Sequence, residues 1–515
     1  MGELAKQLSL VTKEDNIKSK DIKTELNRTH TDELVIALCG PIGTDIHLTA
    51  NVLNHILTNK YHYECIEIRL SDLIKKHTPD TLVFNEEVEG HSVEYKRLLA
   101  LIKKGNHLRK EHGLSILAEL AINEIAVQRE TRKKEKGYLS ERVCYIIDSI
   151  KNIEELELLR LIYRDIFYCI GTFASIDSRV SNLTNREMKT HEIYELIDRD
   201  SGEEMQFGQK VTDTFVEADF FLRLDDGSSK LIETKLSRFL HLIFSSEVIT
   251  PTTDETAMYL AFAAAGNSAC LSRQVGASIT DENGEIISVG WNDVPKSGGS
   301  VYKSDTDNIV HDKRCINYEN GICYNDREKS KIAKTLVDSL IREGIINEEK
   351  RLDAENSLKK SRIKELIEFS RAVHAEMLAI ILAGQRGGNR LINATLYCTT
   401  YPCHNCARHI VAAGIKNVYY IEPYRKSMAT KLHGDSITED ESKKELVRIL
   451  MYDGTAPRRF LDFFKMTPST RKINGKKIHI NFSKKSPKNT LSLQAIPYLE
   501  GMVTNDLKSK NLIHV

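Results

Sequence analysis

The chain has 515 residues, and its 73 lysine and arginine residues balance 73 aspartate and glutamate residues, so its formal net charge is zero. This balance argues against a protein whose main task is to hold a polyanion, and the length predicts two to four domains. No stretch reaches the roughly 18 apolar residues of a membrane span, and no apolar signal-peptide core stands at the N-terminus. We therefore expect a cytoplasmic protein with no membrane partner, whose ten cysteines are reduced thiols or metal ligands.

The first half of the chain alternates strand patterns with helix patterns. After a charged lead-in, residues 1–30, the runs Leu34 to Cys39 and Arg142 to Ser149 both predict buried strands. Helical patterns lie between them, which favours a parallel sheet with helices on both faces. We place this first domain at residues 31–225 and a helical bridge at residues 226–252.

A glycine turn, residues 40–45, follows the first strand and leads into a helix. Strand, turn and helix form the layout of a phosphate cradle, in which backbone N–H groups face an anion, and the layout resembles the P-loop kinases. A full P-loop would place Gly, Lys and Ser or Thr where this chain has Asp45, Ile46 and His47, which disfavours phosphoryl transfer. The candidate nucleotide-binding residues of this degenerate cradle are Gly40, Gly43 and Thr44. The alternative is an inactive scaffold in which the turn only ends a strand.

The second half predicts a three-layer α/β/α domain over residues 253–470. A helix pattern at residues 253–265 precedes two strands joined by a hairpin turn, Asp281 to Gly284. Residues 326–370 are rich in charged side chains at helical spacing and predict a solvated helical insertion. Residues 471–515 are predicted to form a basic tail.

Two short motifs in the second half carry the chemistry. His374-Ala375-Glu376 begins one helix, and Pro402-Cys403-His404-Asn405-Cys406 begins another, with its two cysteines three apart on one face. One imidazole and two thiols form a zinc site with an open fourth position, so we predict Zn²⁺ as cofactor, bound by His374, Cys403 and Cys406. Glu376 does not share a helix face with His374, which favours the role of catalytic acid and base over that of a ligand. A purely structural zinc would need a fourth protein ligand.

The two motifs, H-x-E and P-C-x-x-C, are the signature of the zinc nucleobase deaminases. The order of strands and helices around them resembles the cytidine deaminase fold. The loop Gly290-Trp291-Asn292-Asp293-Val294-Pro295 resembles the G-Y-N-G-x-P loop of the deoxycytidylate deaminases, whose asparagine contacts the nucleotide sugar. The resemblance implies that Asn292 binds the substrate, although a tryptophan and an aspartate replace the tyrosine and the second glycine of that loop.

Three further stretches resemble the bacterial anti-phage dCTP deaminases: Pro423 to Ser427, Leu432 to Ser436 and Gly454 to Phe460. Members of that family join a degenerate P-loop kinase-like domain to a deoxycytidylate deaminase domain, so the resemblance covers nearly the whole chain. It implies hydrolysis of dCTP, and often of dCMP, to deoxyuridine nucleotides plus ammonia, which depletes dCTP during phage infection. Cationic side chains that would suit the triphosphate are Lys426, His433, Arg458 and Arg459.

A second zinc site is a weaker prediction. Some phage deoxycytidylate deaminases hold a structural zinc, and Cys270 matches one of its ligand positions. The candidate ligands are Cys270, His311, Cys315 and Cys323, whose irregular spacing leaves scattered reduced thiols as the alternative.

Two other functions compete with nucleotide deamination. A polynucleotide cytosine deaminase would need a basic groove with aromatic platforms, for which zero net charge and 7% aromatic residues give no sign. A nucleotide-sensing switch would make the first domain the working part and the deaminase secondary. Relatives of the fold usually assemble, so we expect a homo-oligomer that takes a small-molecule nucleotide substrate. A toxic activity also needs restraint, for which we expect an inhibitory RNA, a nucleotide or another protein.

Overall fold

The computed structural model describes residues 29–79, 90–136, 142–200, 208–225, 229–304, 312–424, 427–466, 471–477, 482–493 and 495–513. Within these ranges, two six-stranded sheets organise the chain, one built mainly from each half of the sequence. Two short two-stranded ribbons accompany them. The predicted α/β class is confirmed.

The elements of the first half follow one another as alternating strands and helices. The strands are β1 (His30–Thr31), β2 (Leu34–Cys39), β3 (Glu64–Arg69), β4 (Val143–Ile150), β5 (Phe167–Phe173) and β6 (Phe220–Arg223). The helices are α1 (Ile46–Tyr61), α2 (Leu70–Lys76), α3 (Val93–His112), α4 (Ile116–Lys136), α5 (Ile153–Tyr163), α6 (Ile176–Thr184), α7 (Thr190–Asp200), α8 (Val211–Val216) and α9 (Ser229–Phe244).

The first sheet is parallel from β3 to β6, in the order β6-β5-β2-β4-β3. Along its central strand β2, Val35, Ala37 and Cys39 belong to one apolar cluster, while Leu34, Ile36 and Leu38 belong to another. Both faces of the sheet are therefore covered, which explains why this strand is a continuous apolar run. The kinase-like character of this half and the domain limits stay predictions.

The second half supplies the other large sheet and the helices around it. The strands are β7 (Gly276–Thr280), β8 (Ile286–Trp291), β9 (Thr395–Thr400), β10 (Asn417–Glu422), β11 (Ile437–Thr438), β12 (Val447–Met451), β13 (Gly454–Thr455), β14 (Lys472–Ile473), β15 (Lys476–Lys477) and β16 (Leu491–Ser492). The helices are α10 (Thr253–Ala265), α11 (Tyr324–Arg342), α12 (Arg351–Lys360), α13 (Ala375–Gly387), α14 (His404–Ala412), α15 (Ala429–Leu432), α16 (Phe460–Phe464) and α17 (Ile496–Ser509).

The second sheet has the strand order β11-β12-β10-β9-β7-β8 and is mixed. Strand β7 runs antiparallel to both of its neighbours, whereas β9, β10, β12 and β11 are parallel to one another. Because β7 is reversed, β8 runs in the same direction as β9. The carboxyl ends of β8, β9 and β10 therefore meet at one edge, where open α/β sheets bind their ligands.

The C-terminal segment differs from the predicted basic tail. Its helix α17 buries Ile496 and Leu507, and its Glu500 forms an ion pair with Arg129 of α4 and accepts a hydrogen bond from Tyr163. Strand β13 also returns to the first sheet and pairs antiparallel with β6. Burial of apolar side chains outweighs the solvation of the basic residues, and the end of the chain packs against its beginning. Among the described helices, none combines the length and the apolar character that crossing a membrane requires.

Candidate active site

Two helix starts converge on one metal-binding cluster. His374 immediately precedes α13, Cys403 caps the start of α14 and Cys406 lies in the first turn of α14. The Nδ1 atom of His374 lies 3.4 Å from Sγ of Cys403 and 3.3 Å from Sγ of Cys406. The structure thus brings together the three residues that the sequence predicts as zinc ligands. The helix α14 starts at His404, so Cys403 is its N-cap residue.

The electrostatics of the cluster favour an anionic sulfur. A hydrogen bond from Cys406, together with the neighbouring His374, lowers the pKa of Cys403 to about 4, although burial acts in the opposite direction. The hydrogen bond between His374 and Cys403 raises the pKa of His374 to about 9. The positive end of the α14 dipole adds to this stabilisation of a thiolate. One nitrogen and two sulfurs within 4.8 Å of one another fit a zinc ion that keeps a fourth position open.

Glu376 lies in the first turn of α13, two residues after His374. Its side chain is only 4% exposed, and burial raises its pKa above the ordinary value. It lines the same cavity as His374 and Cys403. A buried carboxyl group beside a metal cluster can accept and release a proton, which is what the predicted acid and base role requires.

The loop after β8 brings Asn292 to this cavity and supports the metal cluster. The Asn292 amide accepts a hydrogen bond from the N–H of Val275 at 2.7 Å and donates one to the carbonyl of Arg273 at 2.8 Å. Its second amide N–H has no acceptor among the described residues, so it can donate to a ligand. The next residue, Asp293, pairs through its carbonyl with the N–H of Val373, directly before His374. The role of Asn292 in substrate binding stays a prediction.

The cavity above the cluster has a volume of about 740 Å³, which is in the range of small-molecule sites. Most of its wall comes from the second half of the chain, including Asn292, His374 and Glu376. Part of the wall comes from the first half, which the sequence analysis missed: Lys210, Thr212, Asp213 and Val216. Lys210 directly precedes the short helix α8 and the other three residues belong to it, and no local motif marks them as neighbours of the zinc motifs.

A second, smaller cavity of about 280 Å³ adjoins the first between the two sheets. Both cavities share Thr212, Tyr401, Pro423 and Tyr424 in their walls. Its other lining residues include Pro41 in the glycine turn and Arg223 at the end of β6. The edge of the first sheet therefore faces the active-site edge of the second.

The three residues proposed for the nucleotide cradle lie together between β2 and α1. A Cβ atom on Gly40 would approach the Thr172 hydroxyl to 2.2 Å, and Gly43 has a φ of +84°. Packing and backbone conformation thus require both glycines without any ligand. The Thr44 hydroxyl is buried and has no hydrogen-bond partner among the described residues. Nucleotide binding at this turn stays a prediction.

The arginines suggested for the triphosphate have other partners. Arg458 donates to the carbonyl of Ala218 at 3.1 Å and to the carboxylate of Asp219 at 2.5 Å. Arg459 lies 2.8 Å from the carboxylate of Asp462. Neither arginine lines the cavity, and the buried carboxylate of Asp219 attracts the guanidinium that a phosphate would otherwise bind, so a role at the triphosphate stays a prediction. His433 is also absent from the cavity wall, and Lys426 lies outside the described residues.

The predicted second zinc site is only partly described. His311 lies outside the described residues. Burial raises the pKa of Cys315, and Cys270 and Cys323 act on it more weakly in the same direction. Among the described residues, these three do not form a group whose ligand atoms all lie within 4.8 Å of one another. The second zinc site stays a prediction.

Comparison with known proteins bears on the second half of the chain. Residues 251–422 match the family model for the cytidine and deoxycytidylate deaminase zinc-binding region. The deoxycytidylate deaminase of Enterobacteria phage T4 is 28% identical over 172 residues, which are 33% of this chain and 79% of the phage protein. The deoxycytidylate deaminase of Saccharomyces cerevisiae is 28% identical over 179 residues, which are 35% of this chain and 40% of the yeast protein.

Among solved structures, the apo dCMP deaminase from the cyanophage S-TIM5 is 18% identical, with a TM-score of 0.21, over 40% of this chain and 100% of that chain. The family match spans every residue of the metal cluster together with Glu376 and Asn292. Residues 251–422 are thus similar to the zinc-binding region of the cytidine and deoxycytidylate deaminases, which indicates a hydrolase of the deaminase class.

Proposed function

We propose that the chain hydrolyses deoxycytidine nucleotides, dCTP and also dCMP, to deoxyuridine nucleotides and ammonia. The observation that carries the proposal is that one cavity of about 740 Å³ is lined by His374 and Cys403 of the metal cluster and by the buried Glu376. The phage and yeast relatives are named deoxycytidylate deaminases, which favours a deoxycytidine nucleotide. The resemblance to the anti-phage dCTP deaminases favours the triphosphate and a role in depleting dCTP during infection.

The chemistry follows from the groups that the chain supplies. Zinc, when bound, makes water a stronger acid and so yields a nucleophile at neutral pH. Glu376 accepts the proton that water loses as its oxygen bonds to C4 of cytosine, and passes that proton to N3 of the base. Glu376 then takes the proton of the new C4 hydroxyl and delivers it to the amino group, the C4–N4 bond breaks, and ammonia leaves a uracil ring with a carbonyl at C4. The raised pKa of the buried Glu376 suits a group that must be protonated and deprotonated in turn.

The remaining N–H of Asn292 would bind the sugar. Its two other amide contacts, with Val275 and Arg273, hold the side chain in one orientation at the cavity wall. A fixed donor loses little entropy when the substrate binds. We further propose that the protein assembles into a homo-oligomer and that an RNA, a nucleotide or another protein restrains it in uninfected cells.

The test compares zinc-loaded wild-type protein with the Glu376→Gln variant on dCTP, dCMP, CTP and a cytosine-bearing oligonucleotide. We expect glutamate-dependent formation of dUTP from dCTP, with a loss of about 10²–10⁴-fold in the variant because general acid and base catalysis contributes on that order. The matched control is Glu349→Gln, an exposed carboxylate on the insertion, which should keep full activity. Chromatography of the nucleotides gives the readout.

The four substrates also separate the rival functions. Turnover of dCMP but not of dCTP would overturn the proposed depletion of dCTP and would indicate a deaminase of the biosynthetic type. Turnover of the oligonucleotide alone would establish the polynucleotide deaminase in its place. A nucleotide-sensing switch would keep its effect on phage in the Glu376→Gln variant, whereas a dCTP-depleting enzyme would lose it.

A further inference from the structure

We infer that Lys210 and Lys329 bind the outer phosphates of the nucleotide and thereby make the active site prefer dCTP to dCMP. Both lysines line the cavity that holds His374, Cys403 and Glu376. The inference rests on the proposed deamination of deoxycytidine nucleotides and adds how the triphosphate is recognised. It assigns a substrate contact to the first half of the chain, outside the region that matches the deaminase family.

Lys210 brings an uncommitted positive charge to the cavity. It stands at the start of α8, where its backbone N–H donates to the carbonyl of Lys151 at 2.8 Å and fixes its position. Its side chain is partly buried, and its ammonium has no ion pair or hydrogen bond with any of the described residues. An ammonium group at a cavity wall that is not paired with a carboxylate has three donors to offer to a ligand. Phosphate oxygens are the acceptors that match it.

Lys329 approaches the same cavity from the insertion helix α11. Its side chain is 16% exposed, and its ammonium donates to the carbonyl of Lys364 at 3.0 Å. Its ion-pair partner, the carboxylate of Asp326, lies 3.9 Å away on a side chain that is 72% exposed and therefore largely solvated. Two of the three ammonium donors remain for a ligand.

Asn325 is an independent sign that a ligand occupies this wall. It precedes Lys329 by one helical turn, so the two side chains share a face of α11. Its side chain is 8% exposed, and its Nδ2 donates to the carbonyl of Leu366 at 3.0 Å. Its Oδ1 is buried and finds no donor among the described residues, although it belongs to a residue of the cavity wall. A buried acceptor of this kind is satisfied when a hydroxyl group of the nucleotide sugar binds.

A third cationic side chain in the cavity wall, Arg273, already contacts other residues of the wall. Arg273 lies 3.1 Å from the carboxylate of Glu422 and covers the ring of Tyr424, so it already has a close anionic partner in the wall. Among the lysines and arginines of the wall that the structure describes, Lys210 and Lys329 are therefore left to balance a phosphate chain. A monophosphate presents one phosphate near the sugar, whereas a triphosphate presents two more, which can reach lysines supplied by other parts of the chain. We therefore assign these lysines to discrimination between the two nucleotides.

The test measures kcat and KM for dCTP and dCMP in wild-type protein and in the variants Lys210→Met, Lys329→Met and Lys331→Met. Lys331 lies on α11, is 61% exposed and is absent from the cavity wall, so its variant is the matched control. We expect each cavity variant to raise KM for dCTP about tenfold, the effect of losing one charge-assisted hydrogen bond, with little change in kcat or in the kinetics of dCMP. Arginine at either position should restore most of the dCTP affinity, which a merely structural role would not predict.

Calorimetric binding of both nucleotides to zinc-loaded Glu376→Gln protein separates this inference from the proposed function. Tighter binding of dCTP than of dCMP, lost in the lysine variants, supports the inference even if turnover of dCTP fails. An unchanged ratio of the two affinities in both lysine variants overturns it, and so does a wild-type site that binds dCMP but not dCTP. Lys210→Gln and Lys329→Gln, checked for zinc content and thermal stability, replace any methionine variant that does not fold.

Discussion

The carboxylate of Asp200 accepts a hydrogen bond from the backbone N–H of Ile42, with 2.5 Å between Oδ2 and the nitrogen. Its other oxygen lies 3.0 Å from the ammonium of Lys151, which also donates to the carbonyl of Gly40 at 2.8 Å. A backbone N–H and a lysine ammonium are the donors that a phosphate cradle presents to its anion. The side chain of Asp200 therefore takes the position in the glycine turn that a phosphate would need.

Replacement of Asp200 by asparagine should destabilise the first half of the chain. The change leaves the ammonium of Lys151, only 15% exposed, without its charged partner. Breaking a buried ion pair costs about 3–5 kcal/mol of the free energy of unfolding. Urea unfolding of the wild type and the variant gives the difference directly.

The matched control is Asp198→Asn, an exposed aspartate on the same helix α7, which should change stability by no more than about 0.5 kcal/mol. Calorimetric titration of wild-type protein with ATP and magnesium should give no binding heat, because the anion position is filled. Clear ATP binding by the wild type would contradict this account and would favour a nucleotide site at Gly40, Gly43 and Thr44.

Arg458 should contribute to stability and not to nucleotide binding. Its guanidinium donates to Asp219, a carboxylate that is 2% exposed and also accepts the backbone N–H of Cys169 at 2.7 Å. Arg458→Ala should lower the free energy of unfolding by about 1–3 kcal/mol, since Asp219 keeps its weaker contacts with Arg160 and Arg459. Denaturant unfolding measures this loss.

The exposed Arg362 is the matched control, because it lies in the insertion and its removal should leave stability nearly unchanged. KM for dCTP should stay within about twofold of the wild-type value in both arginine variants, a difference worth less than 0.5 kcal/mol. A tenfold rise in KM for dCTP in Arg458→Ala at unchanged stability would instead indicate that Arg458 binds the triphosphate.

The contrast between Arg458 and Cys403 shows what a sequence can and cannot predict here. The zinc ligands can be predicted because two thiols three residues apart at the start of a helix have few other uses. The strands around Leu34 and Thr395 can also be predicted, because their apolar patterns are local in the sequence. A guanidinium fits a phosphate and a buried carboxylate equally well. Only the tertiary structure brings Asp219 to Arg458, from a position 239 residues away in the chain.

The place of Lys210 in the active-site cavity could not be predicted from the sequence either. Lys210 lies in the chain far before His374, and no periodicity relates the orientation of one sheet to that of the other. Two contacts join the second half of the chain to the first: the two-residue strand β13 pairs with β6, and α17 packs against the first half. Such short elements leave no pattern from which the composition of the cavity wall could be predicted.

Acid should weaken the contact between α3 and α7 through Glu192. Burial acts to raise the pKa of this carboxylate, but hydrogen bonds from the N–H of Lys189 and from the hydroxyl and N–H of Ser92 outweigh it and lower the pKa to about 2. A carboxylate with a depressed pKa stabilises the fold above its unfolded pKa of about 4.5, and the stabilisation is lost as pH falls toward 2. Glu192→Gln should therefore cost about 1–3 kcal/mol at pH 7, and the difference from wild type should shrink below pH 4.5.

Unfolding by guanidinium at a series of pH values from 7 to 3 tests this sign. Glu195→Gln is the matched control, because Glu195 lies on the same helix with 39% of its side chain exposed and should show little pH-dependent difference. Because His91 lies 3.0 Å from the same carboxylate and gains charge in mild acid, the decisive interval is below pH 4.5, where a difference between Glu192→Gln and wild type that grows as pH falls would contradict the assignment.

Gly290 should be indispensable for the geometry of the metal cluster. A Cβ atom at this position would come within 2.5 Å of the carbonyl oxygen of Ala375 and 2.6 Å of the N–H nitrogen of Ala379, so β8 and the backbone of α13 are in direct contact. Gly290→Ala must push α13 away, and α13 carries Glu376 and follows His374. Overpacking of this kind costs about 1–3 kcal/mol in stability, and a displacement of about 1 Å can reduce catalysis about 100-fold.

Gly384, on the same helix, is a glycine whose replacement by alanine should stabilise the protein. A Cβ atom there meets nothing within 4 Å, so Gly384→Ala should raise the free energy of unfolding by about 0.5–1 kcal/mol through the lower entropy of the unfolded chain, with activity unchanged. Zinc content, thermal unfolding and the rate of dCMP deamination, measured on both variants, separate the two effects. If Gly290→Ala kept its zinc and its rate, α13 would not be held by this contact, and the position of Glu376 would depend on the loop around Asp293 instead.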